Sequence, residues 1–265
     1  WELISDKITY KIKDFQLPKK RQVPGFVRRV APESNAIQET YNRYSAHTHG
    51  AVIRDDLAWN EYWLWDQDDI MAAIYYTDKE VPDGYVIYWI EDEIFHIKDM
   101  IYNTEEARIG LWNFISAHFS MITRVEGNTF TSEPLAFLFD DAEIQETISP
   151  YYMARIVDFQ QFIAQYPFKP DNNDREWHFT LLDPIMECNQ GSFCLKIDKN
   201  GRGTATPISE ECPDQITIQT MTTMLMGYKR PCYLAKVGRL NTSEAIIDLL
   251  EDAIEQSEPY ISDYF

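Results

Sequence analysis

Three short apolar segments, separated by turns too tight for a crossover, constrain this chain most. Ile70 to Tyr76, Tyr85 to Ile90 and Ile94 to Ile101 have the length and the aromatic and β-branched content of strands. Asp83-Gly84 and Glu91-Asp92-Glu93 sit between them as short turns, so the three form an antiparallel meander. Asn103 then begins a capping box with Glu106, and Ala107, Leu111, Phe114, Ile115 and His118 fall on one helical face. Upstream, Ile8, Tyr10 and Ile12 alternate with Thr9, Lys11 and Lys13 as in a half-buried strand. The basic stretch 14–32, with Pro18, Pro24 and Pro32, reads as an exposed loop, and Ser34 caps a helix striped by Ile37, Tyr41 and Tyr44. Further strands are expected near Phe130 and at Leu135 to Phe139.

The acidic run Asp140-Asp141-Ala142-Glu143, followed by Ser149-Pro150, marks a junction near residue 148. Beyond it, a helix carrying Met153, Ile156, Val157 and Ile163 precedes strands at Trp177 to Leu182, Ser192 to Ile197 and Arg202 to Pro207. Asn189-Gln190-Gly191 and Lys199-Asn200-Gly201 supply turns between these strands. Ile216 to Met226 reads as a helix stopped by Gly227, and Ser243 caps a last helix facing inward through Ala245, Ile246, Leu249, Leu250 and Ala253. The pattern is that of two α+β domains, 1–148 and 149–265.

With 24 basic against 43 acidic residues the chain carries a formal charge of −19. That argues against nucleic acid as a partner and disfavours anionic membranes, but it suits a cationic small molecule. No apolar run approaches the roughly 20 residues that span a bilayer. With no basic-then-apolar leader either, the reading is a cytoplasmic protein, and a start at Trp1 rather than Met suggests a fragment. Cys188, Cys194, Cys212 and Cys232 show neither CxxC pairing nor histidines at metal spacing, so free, mostly buried thiols and no metal are expected. His47-Thr48-His49 lacks a third ligand and belongs in a loop or at a helix end.

Several phrases of the second half occur in a fixed order: Met153-Ala154-Arg155-Ile156-Val157-Asp158, Asp183-Pro184, Asn189-x-Gly191-x-Phe193, Met221 to Tyr228, Leu234 to Leu240 and Tyr260 to Phe265. That order resembles the enhanced intracellular survival (Eis) family of acetyltransferases. The resemblance implies a sterol-carrier-protein-like fold for 149–265, with a last strand after Tyr228, and a degenerate GNAT fold for 1–148. It implies that acetyl-CoA is bound by a further N-terminal GNAT domain of the same protein, missing here, so that this chain alone is inactive. An active GNAT domain has a (Q/R)-x-x-G-x-(G/A) phrase ahead of its central helix. Here the corresponding stretch is Asn103-Thr104-Glu105-Glu106-Ala107-Arg108, which offers carboxylates where a pyrophosphate should dock.

The family's chemistry is acetyl transfer to amines, with the terminal carboxylate as catalytic base; here that group is on Phe265. Tyr264 could raise its pKa by burying it, Asp263 could complement a cationic acceptor, and Trp59 could line the acceptor pocket. Homo-oligomers are also implied by the resemblance. The alternative is a non-catalytic module in which Met221, Met224 and Met226 line a lipid or sterol-like pocket, or a scaffold.

Overall fold

A computed structural model describes residues 1–64, 69–129 and 135–263. The chain folds as two compact units. The larger holds Asp6–Pro150 and the tail from Tyr260 onward; the smaller holds Trp1–Ser5 and Tyr151–Pro259. The two units thus exchange their ends, which no local pattern in the sequence signals.

After β1 (Glu2–Leu3), which belongs to the smaller unit, come β2 (Asp6–Lys13), β3 (Phe26–Val30), α1 (Asn35–Ser45) and α2 (Asp56–Leu64). The meander follows as β4 (Met71–Tyr76), β5 (Pro82–Glu91) and β6 (Ile94–Tyr102), then α3 (Glu105–Ser116), β7 (Arg124–Thr129) and β8 (Gln145–Pro150). These strands make one seven-stranded sheet in the order β3-β4-β5-β6-β7-β2-β8. Every pairing is antiparallel except β6 with β7, whose ladder joins only Ile94, Phe95 and His96 to Arg124, Val125 and Glu126. A parallel pair needs a crossover, and α3 is that connection.

Alternation along the central strands sends side chains into two cores. Ala73, Tyr75, Val86 and Tyr88 pack with Ala107, Leu111 and Ile115 of α3. Ala72, Ile74, Tyr85 and Ile87 pack with Ile37 and Tyr41 of α1 and Trp59 of α2. Helices cover both faces, so β4 and β5 read as continuous apolar runs rather than alternating ones.

The smaller unit continues with β9 (Met153–Ala154), α4 (Phe159–Gln165), β10 (Arg175–Leu182), β11 (Gly191–Ile197), β12 (Gly203–Ile208), β13 (Gln215–Thr217), α5 (Ile218–Leu225), α6 (Pro231–Lys236) and α7 (Glu244–Ala253). Its main sheet runs β12-β11-β10-β13, with β13 parallel to β10 and the other pairs antiparallel. Phe159, Trp177, Phe179, Leu181, Phe193 and Met221 anchor its core. The N-terminus joins this unit through the two-residue β1–β9 ladder and a 2.9 Å hydrogen bond from Thr223 Oγ1 to the Leu3 carbonyl.

A buried polar network ties the start of this unit to its sheet. Arg155 Nη2 lies 2.5 Å from Asp183 Oδ1, and Asn189 Nδ2 donates to Asp183 Oδ2 at 2.9 Å and to the Val157 carbonyl at 3.1 Å. Asn189 Oδ1 in turn accepts from the Phe159 amide at 2.8 Å. Three of the phrases that carry the Eis resemblance, those holding Arg155, Asp183 and Asn189, are therefore one structural device. Gly227 serves the end of α5: its φ of +76° is left-handed, and a Cβ there would meet the Ser257 carbonyl at 2.1 Å.

Several expectations are corrected. Residues 14–32 contain edge strand β3, which Pro24 and Pro32 disguise as loop, since proline is tolerated at the ends of an edge strand. The α3 cap is Thr104, whose side chain accepts from Ala107 N, one residue past Asn103. Leu135–Leu138 is a 3-10 turn rather than a strand. The first helix of the smaller unit begins only at Phe159, capped by Asp158, and leaves Met153 and Val157 exposed. Helix α6 occupies the place of the expected last strand. Of the cysteines, Cys194 and Cys212 are buried but Cys188 and Cys232 are exposed. Phe130 lies outside the described residues.

Burial alone would raise the Asp183 carboxyl, but hydrogen bonds from Asn189, the Ile185 and Met186 amides and Arg155 outweigh it and hold the pKa at about 2. A carboxyl depressed by folding stabilises the native state above its ordinary value near 3.8, and that contribution fades as pH falls toward 2. Asp183→Asn is expected to lose on the order of 2 kcal/mol at pH 7 and to flatten the stability profile between those limits, as read by urea unfolding against pH.

Candidate functional site

The densest concentration of buried charge lies in the larger unit, where the C-terminal tail meets the sheet. A β-bulge starts it. Ile87 pairs with Asp99 and Tyr88 with Ile97, leaving Lys98 as the extra residue of β6. The insertion reverses the facing of the strand: Phe95 and Ile97 enter the α3 core, whereas Ile101 enters the core beneath α1. Asp99 is turned to that second side, among tyrosines. Tyr85 Oη donates to its Oδ2 at 2.8 Å, Tyr62 Oη to the same oxygen at 3.2 Å, and Tyr260 Oη to Oδ1 at 3.4 Å. Burial pushes the Asp99 carboxyl above the usual range, partly offset by the Arg54 charge and the Tyr85 hydrogen bond.

Arg54 completes the cluster. Its side chain is fully buried, and its Nε donates to Asp263 Oδ1 at 2.7 Å. The guanidinium carbon stands 3.9 Å from the ring centre of Tyr41, 4.2 Å from Tyr62 and 4.8 Å from Trp59, so the charge is enclosed by aromatic faces. Burial opposes that charge, but Tyr85, Asp99 and the Asp263 hydrogen bond outweigh it and raise the pKa above the ordinary arginine value. Arg54 Nη1 has no hydrogen-bond partner among the described residues. The tail is held at two points, since the Tyr260 amide also donates to the His49 carbonyl at 2.8 Å.

Beside the tail, Arg43, Tyr44, His47, Thr48, Tyr102 and Asn103 line a cleft of about 400 Å³. Tyr44 packs edge-on against Tyr260 with ring centres 5.2 Å apart, so tail and cleft share a wall. At the adjoining start of α3, Thr104 Oγ1 donates to Asp83 Oδ2 at 2.5 Å, and Glu105 and Glu106 fill the first turn. Arg108 is engaged by Glu105, with contacts of 2.7 and 2.6 Å. Carboxylates therefore crowd the helix end at which a GNAT domain receives a pyrophosphate.

Of the residues expected from sequence, Trp59 is only 4% exposed and contributes a ring face to Arg54. Asp263 is buried in its ion pair with Arg54. Tyr264 and Phe265 lie outside the described residues. His47 and His49 sit in the segment following α1, and Met221 and Met224 are buried in the smaller unit's core. Asp99 and Arg54 were not singled out. The available signal for Asp99 was an acidic residue at period two between Ile97 and Ile101, where a strand should be apolar.

Removing one partner of a buried ion pair strands the other charge at a cost of about 3–5 kcal/mol, whereas replacing both is far milder. Arg54→Met should lose that amount in urea unfolding followed by tryptophan fluorescence, and Arg54→Met combined with Asp263→Leu should recover most of it. Additive losses in the double variant would contradict the pairing.

Comparison with known proteins agrees with this architecture. Residues 50–156 match the acetyltransferase (GNAT) domain model and residues 159–262 the sterol carrier protein domain model. No curated protein matches the chain. A conserved protein of unknown function from Enterococcus faecalis, described as a probable N-acyltransferase, is 29% identical with a TM-score of 0.91, over 100% of this chain and 68% of that one. A GCN5-related N-acetyltransferase from Anabaena variabilis is similar at 20% identity and a TM-score of 0.86, covering 100% of this chain and 68% of the other. Eis1 from Mycobacterium abscessus shares the fold at 16% identity and a TM-score of 0.78, over 100% and 69%. The chain spans about two-thirds of the length of each. It thus combines a GNAT acetyltransferase domain with a sterol carrier protein domain, in that order.

Proposed function

We propose that this chain supplies the acceptor side and the catalytic base of an acetyl-CoA-dependent N-acetyltransferase acting on amines. The observation that carries the reading is the double anchorage of the tail, by Tyr260 on Asp99 and Asp263 on Arg54, beside a cleft of about 400 Å³. That volume suits a small molecule. The acceptor enters the cleft as an ammonium ion and must shed a proton before its nitrogen can attack. Phe265 carries the base, its α-carboxylate, two residues beyond the Asp263 anchor. In water such a group has a pKa of about 3.5 and is a feeble base, so Tyr264 is assigned the task of desolvating it. Trp59 holds Arg54, and the Arg54–Asp263 pair sets the tail beside the acceptor site. The surplus of acid over base in the chain favours entry of such a substrate.

Acetyl-CoA does not fit this GNAT domain by the usual route. Glu105, Glu106 and Asp83 would repel a pyrophosphate at the start of α3, and no glycine in 103–108 permits close backbone approach. A separate N-terminal GNAT domain is therefore assigned to hold it, and amine acetylation requires both. The cytoplasm is the proposed setting, in a homo-oligomer. Titrating acetyl-CoA into this chain is expected to give no saturable heat in calorimetry; micromolar binding would overturn the division of labour.

In the protein joined to its acetyl-CoA-binding domain, amidation of the Phe265 α-carboxylate should lower kcat by about 10²–10⁴-fold, the usual size of a general-base contribution. The acidic limb of the pH–rate profile should disappear with it. A profile that keeps its shape would make the carboxylate a bystander.

A further inference from the structure

The outer face of the smaller unit's sheet carries a cluster that the proposed acetyl transfer does not use. Trp177, Phe179 and Leu181 point into the core, so the period of two turns Glu176 and His178 outward together. The antiparallel register then sets Cys194 opposite His178 and Lys196 opposite Glu176. One donor atom from each of Glu176, His178 and Cys194 lies within 4.8 Å of the other two, and His178 Nε2 is 2.7 Å from Glu176 Oε1. Metal bonds of about 2.0–2.3 Å hold neighbouring donors about 3–4 Å apart around a tetrahedral ion, a spacing these side chains reach by small rotations. Strands β10 and β11 are each hydrogen-bonded on both sides, so the frame carrying the donors is fixed before any ion arrives.

We propose that Glu176, His178 and Cys194 form a site for zinc or a similar late first-row divalent metal, with the fourth position open to water. The donor set of one sulfur, one imidazole nitrogen and one carboxylate oxygen is characteristic of such ions. On binding, the Cys194 thiol releases its proton to solvent, His178 ligates as the neutral ring, and Glu176 exchanges one cation for another. The displaced cation is the Lys196 ammonium, 3.1 Å from Glu176 Oε2 on a side chain 63% exposed and free to swing into water. In the metal-free protein, burial and then the Glu176 charge push the thiol up. A divalent ion reverses that balance, because the thiolate it binds no longer carries a proton.

The full chain, stripped with a chelator, is titrated with cobalt(II) and with zinc(II) alone. One equivalent of cobalt should produce a thiolate-to-metal charge-transfer band together with the intense visible bands of four-coordinate cobalt, and zinc should displace it. Cys194→Ser should abolish the charge-transfer band, and His178→Gln, at an exposed position that folding does not need, should weaken binding about tenfold or more. Cys188→Ser, a control at an exposed thiol outside the cluster, should leave the spectrum unchanged. Absence of the charge-transfer band, or undiminished affinity in His178→Gln, overturns the proposal.

Discussion

A guanidinium buried among aromatic rings is stable only if a carboxylate meets it, and the arrangement around Arg54 follows from that constraint. The carboxylate comes from Asp263, more than two hundred residues along the chain, so satisfying one internal charge fixes the end of the polypeptide to the GNAT sheet. Asp99 supports the same junction. It receives Tyr260 from the tail, Tyr62 from α2 and Tyr85 from the neighbouring strand, and thereby links three parts of the unit through one carboxyl. Removing the β6 bulge would return Asp99 to the wrong side of the sheet and leave those hydroxyls without it.

The smaller unit solves a similar problem in its own way. Arg155 stands before the first helix of the unit, Asp183 after β10 and Asn189 before β11; together they close a network that meets both Asp183 oxygens and both ends of the Asn189 amide, and leaves only Arg155 Nη1 of these groups without a partner among the described residues. Buried polar networks of this kind specify one arrangement because a shifted register would strand several groups at once. This explains why short, scattered phrases identify the domain better than its apolar pattern does. Apolar core positions accept several side chains, whereas an Arg–Asp–Asn triangle accepts few.

The β-meander, α3 and strands β10, β11 and β12 were legible from their local apolar periodicity, although Asp83-Gly84, expected as a turn, lies inside β5, and β13 hides in what reads as the start of a helix. Strand β3 was not, since Arg28 and Arg29 on an edge strand remove the apolar alternation on which the reading depends. The late start of α4 was missed because Met153 and Val157 are apolar yet exposed, so they imitate a helical stripe without facing the core. Of the candidate site, Trp59 and Asp263 could be named from the resemblance, but their shared partner could not. Arg54 looks like any surface arginine in a charged stretch, and only the tertiary fold brings Tyr41, Tyr62 and the tail around it. The same holds for Cys194 and His178, which are unrelated in sequence spacing and become neighbours only through the β10–β11 register.

The claim on which the functional reading rests is that the tail is locked onto the GNAT sheet rather than resting on it. Amide hydrogen exchange at Tyr260 tests this most directly, because that amide donates to the His49 carbonyl. Locking predicts protection comparable to the amides of β5 and β6, lost when Arg54 is replaced. Exchange at the rate of an unstructured peptide in the unaltered protein would contradict it.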